Sequence, residues 1–122
     1  MNIINLGGIL KGRELASFIA KIIKDKKGRD IQIVNIRNIA VFTDYFVVST
    51  VEVAEHGEAV MEEIWKKLKF ENNLIPFVEQ DKTSDWIVLD YGDVMVHIMT
   101  EEKREFYRIE ELWSNEDKSA AK

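Results

Sequence analysis

The sequence predicts an α/β domain in which a mixed β-sheet is flanked by helices. Three observations carry that expectation. Leu15, Phe18, Ile19, Ile22 and Ile23 recur at i, i+3, i+4, i+7 and i+8, the spacing of one helix face, and Val53, Gly57, Val60, Met61, Ile64, Trp65 and Leu68 form a second such stripe. Tyr45-Phe46-Val47-Val48 is apolar throughout, as a central strand buried on both faces would be. Ile87-Val88-Leu89 and Val94 to Met99 are two strand-like runs joined through Tyr91-Gly92, a turn signal because glycine tolerates positive φ. The order α-β-β-α-β-β-β-α then layers helices against one sheet.

Taken in order, residues 1–10 have no clear period and contain Gly7-Gly8, so they read as a loose lead-in. The first helix ends in Lys24, Lys26 and Lys27, which favour the negative end of the helix dipole, with Gly28 as the expected C′ residue. A solvated helix end accounts for these lysines more simply than a contact with RNA. Ile31, Ile33, Val34 and Ile36 predict a first strand, and Asn38 to Thr43 a connection. Asp44, just before the central strand, reads as a hydrogen-bond acceptor at the strand start rather than a catalytic carboxylate. The second helix is expected at about 53–70 and to end at Asn72-Asn73. Ser49 and Glu52 have capping-box spacing, which would move its cap upstream. Leu74, Ile75, Phe77 and Val78 predict a short strand, and Pro76 assigns it to a sheet edge. Glu79 to Ser84 is a polar loop. After the hairpin, Glu101 to Glu105 reads as solvated, and Phe106, Tyr107, Ile109, Leu112 and Trp113 are dense in large apolar groups. The polar tail 115–122 is expected to be disordered.

At 122 residues the chain fits one domain, residues 1–114, large enough to bury a core without staples. It has no cysteine, hence no disulfide framework, zinc-thiolate site or thiol nucleophile. No apolar run approaches the roughly 20 residues of a membrane span, and no basic segment precedes the first apolar residues, so a cytoplasmic location is expected. The net charge of −5 is uneven: residues 1–37 carry eight Lys/Arg against three Asp/Glu, and the remainder nine against nineteen. An acidic majority argues against broad contact with nucleic-acid phosphates and suits a basic protein partner, although solubility alone also explains it.

No reaction centre assembles from the motifs. Asp90 and Asp93 flank the hairpin turn and could share a cation, but Asp is common in turns for local backbone hydrogen bonds. His56 and His97 are the only histidines and lack metal-ligand spacing; His97 reads as structural and His56 as exposed. Ser49 and Ser84 lack a nucleophile elbow, and the glycines make no phosphate-binding loop. Aromatic side chains are better candidates, because they bury much area at low entropic cost. Trp65 has core spacing. From spacing alone Trp86, Tyr107 and Ile109 also lean toward the core.

The stretch D-W-I-V-L-D-Y-G-D-V-M-V-H-I-M followed by R-E-F-Y-R-I-E-E-L-W resembles the signature of the ribosomal silencing factor (Iojap-like) family. The resemblance runs from about residue 10 to 114 and includes Asp30-Ile31 and Thr43 to Val48. It departs from the family at Val51 and Val53, where a Gly and a Ser or Thr are usual, and at Gln80, which replaces a Gly. The resemblance implies a nucleotidyltransferase-like fold without catalytic residues, and a protein that is neither an enzyme nor cofactor-dependent. It further implies binding to the large ribosomal subunit through ribosomal protein L-fourteen, a steric block to subunit joining, and repression of translation under nutrient limitation. On that reading Trp86, Tyr107 and Ile109 belong to the partner-binding face, and Asp90, Met99 and Glu79 border it. A homodimer through the same apolar face is compatible with it. Two alternatives are a small magnesium-dependent nucleotidyltransferase using Asp44, Asp90 and Asp93, and an RNA-binding module using the helix end at Lys21–Arg29.

Overall fold

The central strand organises everything else in the computed structural model, which describes residues 10–111. Strand β2, Tyr45–Val51, is buried at every position. It lies second in a five-stranded sheet of order β1-β2-β5-β4-β3, with β1 at Arg29–Asn35, β3 at Phe77–Gln80, β4 at Trp86–Asp90 and β5 at Val94–Thr100. Only β2 and β5 run parallel; the other neighbours are antiparallel, so the sheet is mixed as expected. Helices α1, Gly12–Asp25, and α2, Ala54–Asn72, contribute Leu15, Ile19, Ile23, Val60, Ile64 and Leu68 to the main core, where they meet Val47, Val51, Ile87, Leu89, Val96 and Ile98. Helix α3, Glu101–Tyr107, continues directly from β5.

Local chemistry differs from the sequence expectation in five places. First, Lys27, not Gly28, takes the left-handed conformation after α1, at φ 73°. Gly28 follows it, with its N–H on the Ile23 carbonyl at 2.9 Å, and a Cβ there would lie 2.3 Å from Ile23 Cγ2. Close approach, not positive φ, therefore requires the glycine. Second, no capping box forms at Ser49 and Glu52. Ser49 lies inside β2 with its hydroxyl donating to the His97 carbonyl, and α2 starts from Val53 without a side-chain cap. Third, Leu74 and Ile75 precede β3 instead of belonging to it, and β3 takes in Glu79 and Gln80 from the expected polar loop. Fourth, Trp65 is half-buried with Lys69 Nζ 4.9 Å from its ring centroid, so it flanks the core. Fifth, His56 is half-buried: Nδ1 accepts the Glu52 N–H at 3.2 Å and Nε2 donates to the Lys26 carbonyl at 2.8 Å, joining the two helices. The expectations for the lead-in 1–9, for Leu112 and Trp113, and for the tail 115–122 lie outside the described residues.

Candidate functional site

Side chains of cross-strand partners project from the same side of a sheet. Met99 pairs with both Trp86 and Thr50, His97 with Val88 and Val48, and Met95 with Asp90 and Phe46. On the edge strand Glu79 pairs with Val88 and Phe77 with Asp90. Trp86, Asp90, Met99 and Glu79 therefore share one face, the side of the sheet opposite α1 and α2. Tyr107 and Ile109 reach that face from α3 and the residues just after it. Strand pairing places four of the six sequence-predicted partner-binding residues on this face, and the packing of Tyr107 on Trp86 and of Ile109 on the smaller cluster adds the other two.

They do not occupy it equally. Tyr107 is 47% exposed, and its ring packs on Trp86 at 4.9 Å between centroids. Trp86 is half-buried, Asp90 is half-buried and Glu79 is exposed. Ile109 is half-buried against the smaller cluster of Val34, Ile36, Phe46, Val48 and Met99. Met99 is 0% exposed. It pairs with Trp86 across the strands and fills the smaller cluster, so it supports the face and offers no surface of its own. Phe106, 79% exposed with its ring 4.9 Å from Tyr107, extends the aromatic surface. Spacing could not find it, because a seven-residue helix gives too short a period to assign a face.

Trp86 is held by His97. The indole N–H donates to His97 Nδ1 at 3.1 Å, and the Phe46 ring stands edge-on to the imidazole at 4.5 Å. Burial lowers the His97 pKa from 6.5 to about 4, so the ring is neutral near pH 7. With Nδ1 accepting, the proton resides on Nε2, which is buried and has no partner among the described residues. The structural role expected of His97 is therefore specific: it orients the tryptophan.

The expected solvated run after β5 contains one exception. Arg104 is 7% exposed; its Nη1 donates to Thr50 Oγ1 at 2.9 Å and its Nε to Glu110 Oε2 at 3.0 Å. The contact with Thr50 crosses 54 positions of sequence to β2, so no local pattern announces it. Arg108, between Tyr107 and Ile109, takes the left-handed conformation at φ 48°, which costs a non-glycine residue roughly 1 kcal/mol.

The carboxylates that flank the hairpin turn accept backbone N–H groups. Asp90 Oδ1 accepts the Gly92 N–H at 2.9 Å, and Asp93 Oδ2 accepts the Gly12 N–H at the start of α1. The Asp93 carbonyl also receives the N–H groups of Asp44 and Tyr45, each at 3.1 Å. Among the described residues no group of three His, Cys, Asp or Glu side chains has the arrangement of a metal site. No helix there is long and apolar enough to cross a membrane.

Comparison with known proteins agrees with this architecture. The family described as "Ribosomal silencing factor during starvation" matches residues 10–122. A ribosomal silencing factor of Haemophilus influenzae is 34% identical over 104 residues, covering 82% of this chain and 98% of that one. The mouse protein named "Mitochondrial assembly of ribosomal large subunit protein 1" is 27% identical over 99 residues, which make up 79% of this chain but only 43% of the mouse protein. A crystal structure from Chromobacterium violaceum superposes with a TM-score of 0.77 at 26% identity, covering 85% of this chain and 88% of its own.

Proposed function

Since the chain belongs to the family of ribosomal silencing factors, we propose that it binds the large ribosomal subunit through ribosomal protein L-fourteen and prevents the small subunit from joining, so lowering translation under nutrient limitation. The observation that carries this reading is the Trp86–Tyr107 pair, an exposed tyrosine stacked on a half-buried tryptophan on the sheet face opposite α1 and α2. Such couples are the usual anchors of protein interfaces. Glu79 near Trp86, and Asp90 on the same face at the far end of β4, suit the basic surface of a ribosomal protein. The name of the mouse relative, which refers to the large subunit, points the same way.

The mechanism is occupancy, not catalysis. A ligand that binds free large subunits but not joined ribosomes shifts the equilibrium by its differential affinity alone. At a free concentration 100 times its Kd it disfavours joining by about 2.7 kcal/mol. The protein acts in the cytoplasm as one domain, without a cofactor, and a homodimer through the same face would compete with ribosome binding. The test is co-sedimentation with purified subunits: large subunits carry the protein down and small subunits do not. Equal binding to both, or to neither, would remove the reading.

A further inference from the structure

The segment that carries Tyr107 is poorly anchored by apolar burial. Of α3, only Arg104 is buried, while Phe106 and Tyr107 are exposed. A helix of seven residues is marginal on its own. Beside the packing of Tyr107 on Trp86 and of Ile109 on the smaller cluster, the described residues tie this segment to the sheet by polar contacts, of which those of Arg104 are the most buried. Arg104 bonds Thr50 Oγ1, on a strand position 2% exposed, and Glu110 Oε2, and the pair's side chains are only 9% and 12% exposed. The backbone carbonyl of Arg104 also receives the Arg108 N–H at 2.8 Å, closing the helix at the left-handed residue. One residue thus fixes three points: the sheet, the end of α3, and the chain just beyond the reversal. Tyr107 immediately precedes the second point, and Ile109 lies between the second and the third. The ion pairs of Arg108 with Glu105 and Glu111, at 3.6 Å and exposed, cannot do the same work, because solvent screens them.

We infer that Arg104, Thr50 and Glu110 form a buried polar clamp whose role is to position Tyr107 and Ile109 for docking onto the ribosomal partner. Arg104 is a positioning residue: it makes no contact with the partner and acts through the two side chains it holds. Replacing a buried ion pair with apolar groups of similar size often leaves stability unchanged, so such a pair is better understood as specifying geometry than as supplying stability. A docking surface already fixed in its bound geometry loses less entropy on binding. The inference rests on the proposed docking face and would have no function without it.

The test measures binding of the full-length protein to purified large ribosomal subunits, alongside unfolding in denaturant. In the double variant Arg104→Met/Glu110→Leu, affinity should fall roughly tenfold or more while the unfolding midpoint stays close to the parent. Thr50→Val should weaken binding by about threefold and Thr50→Ser should restore it, since serine keeps the hydroxyl acceptor. In a Tyr107→Ala/Ile109→Ala background the clamp replacement should cost less than about twofold, because the residues it positions are gone. Unchanged affinity of the folded double variant, or a fully additive loss in that background, overturns the inference. Should the double variant not fold, the Thr50→Val and Thr50→Ser pair decides: equal affinities for both overturn it. If Tyr107→Ala itself leaves binding unchanged, the docking face is wrong, which is a different failure from a silent clamp.

Discussion

The two faces of the sheet are built from the same five strands and do opposite things. On the helix-covered face Val47, Leu89, Val96 and Ile87 are each 0% exposed, and the partners across the interface are the aliphatic stripes of α1 and α2. On the other face Val48 and Met99 are equally closed, but the strand residues beside them are aromatic and polar, namely Trp86, the buried His97 and Asp90, and Tyr107 packs over Trp86. Aliphatic groups packed on both sides give up all their surface to the fold. Aromatic groups with a polar handle can be fixed in place by hydrogen bonds while keeping one side for a partner. The difference predicts that substitutions will separate into those that change stability and those that change binding.

The largest effect belongs to the covered face. Ile64→Ala, at a fully buried position of α2, should lower unfolding free energy by roughly 2–5 kcal/mol through lost burial and a residual cavity, with the affinity of the folded fraction for large subunits unchanged. Denaturant titration and a binding isotherm on the same preparation measure both.

His97 gives a comparable effect with a pH signature. The unfolded chain takes up a proton near pH 6.5, whereas the native imidazole resists protonation until about pH 4. The contribution is therefore complete above pH 6.5 and is lost as pH falls toward 4, amounting to on the order of 3 kcal/mol. His97→Gln, whose amide oxygen can still accept the Trp86 N–H, should flatten that slope and leave binding at pH 7 within about threefold. A slope that survives the substitution would assign the pH dependence to another group.

Trp86→Ala and Tyr107→Ala should each weaken ribosome binding by about 2 kcal/mol or more. Tyr107, being 47% exposed, should cost clearly less stability than the roughly 3–5 kcal/mol of a buried aromatic truncation. A large stability loss for Tyr107→Ala with normal affinity would make the open face a second core. The smallest effect is expected at Arg108. Arg108→Gly relieves the positive φ but frees the unfolded chain, so stability should change by no more than about 1 kcal/mol; alanine at the same position keeps the strain, and thermal unfolding should rank glycine above alanine.

Sequence made the covered face legible and the other only in part. The period of Leu15 to Ile23 and the unbroken run Tyr45 to Val48 reflect local geometry, and the strands and helices they foretold are present. The hairpin around Tyr91-Gly92 was equally readable. The α2 cap is not legible, because Ser49 and Glu52 satisfy a local motif that loses to burial of Ser49 in the central strand. A strand's period does not reveal that Met99, paired with Trp86 and Thr50, is fully buried and offers the face no surface. Arg104 was hidden among charged neighbours, since its partners Thr50 and Glu110 are fixed only once α3 docks. Positions within the site came from strand register, a non-local property, while its overall composition was visible as a density of aromatics.

Steric occupancy of the large subunit is tested most directly by light scattering of subunit association, titrated with the protein at two concentrations of small subunit. Inhibition should saturate at about one protein per large subunit, shift to higher protein when small subunits are raised, and disappear when the protein is removed. Inhibition at far lower stoichiometry that persists after removal would mean that the ribosome had been chemically altered, and occupancy would be the wrong mechanism.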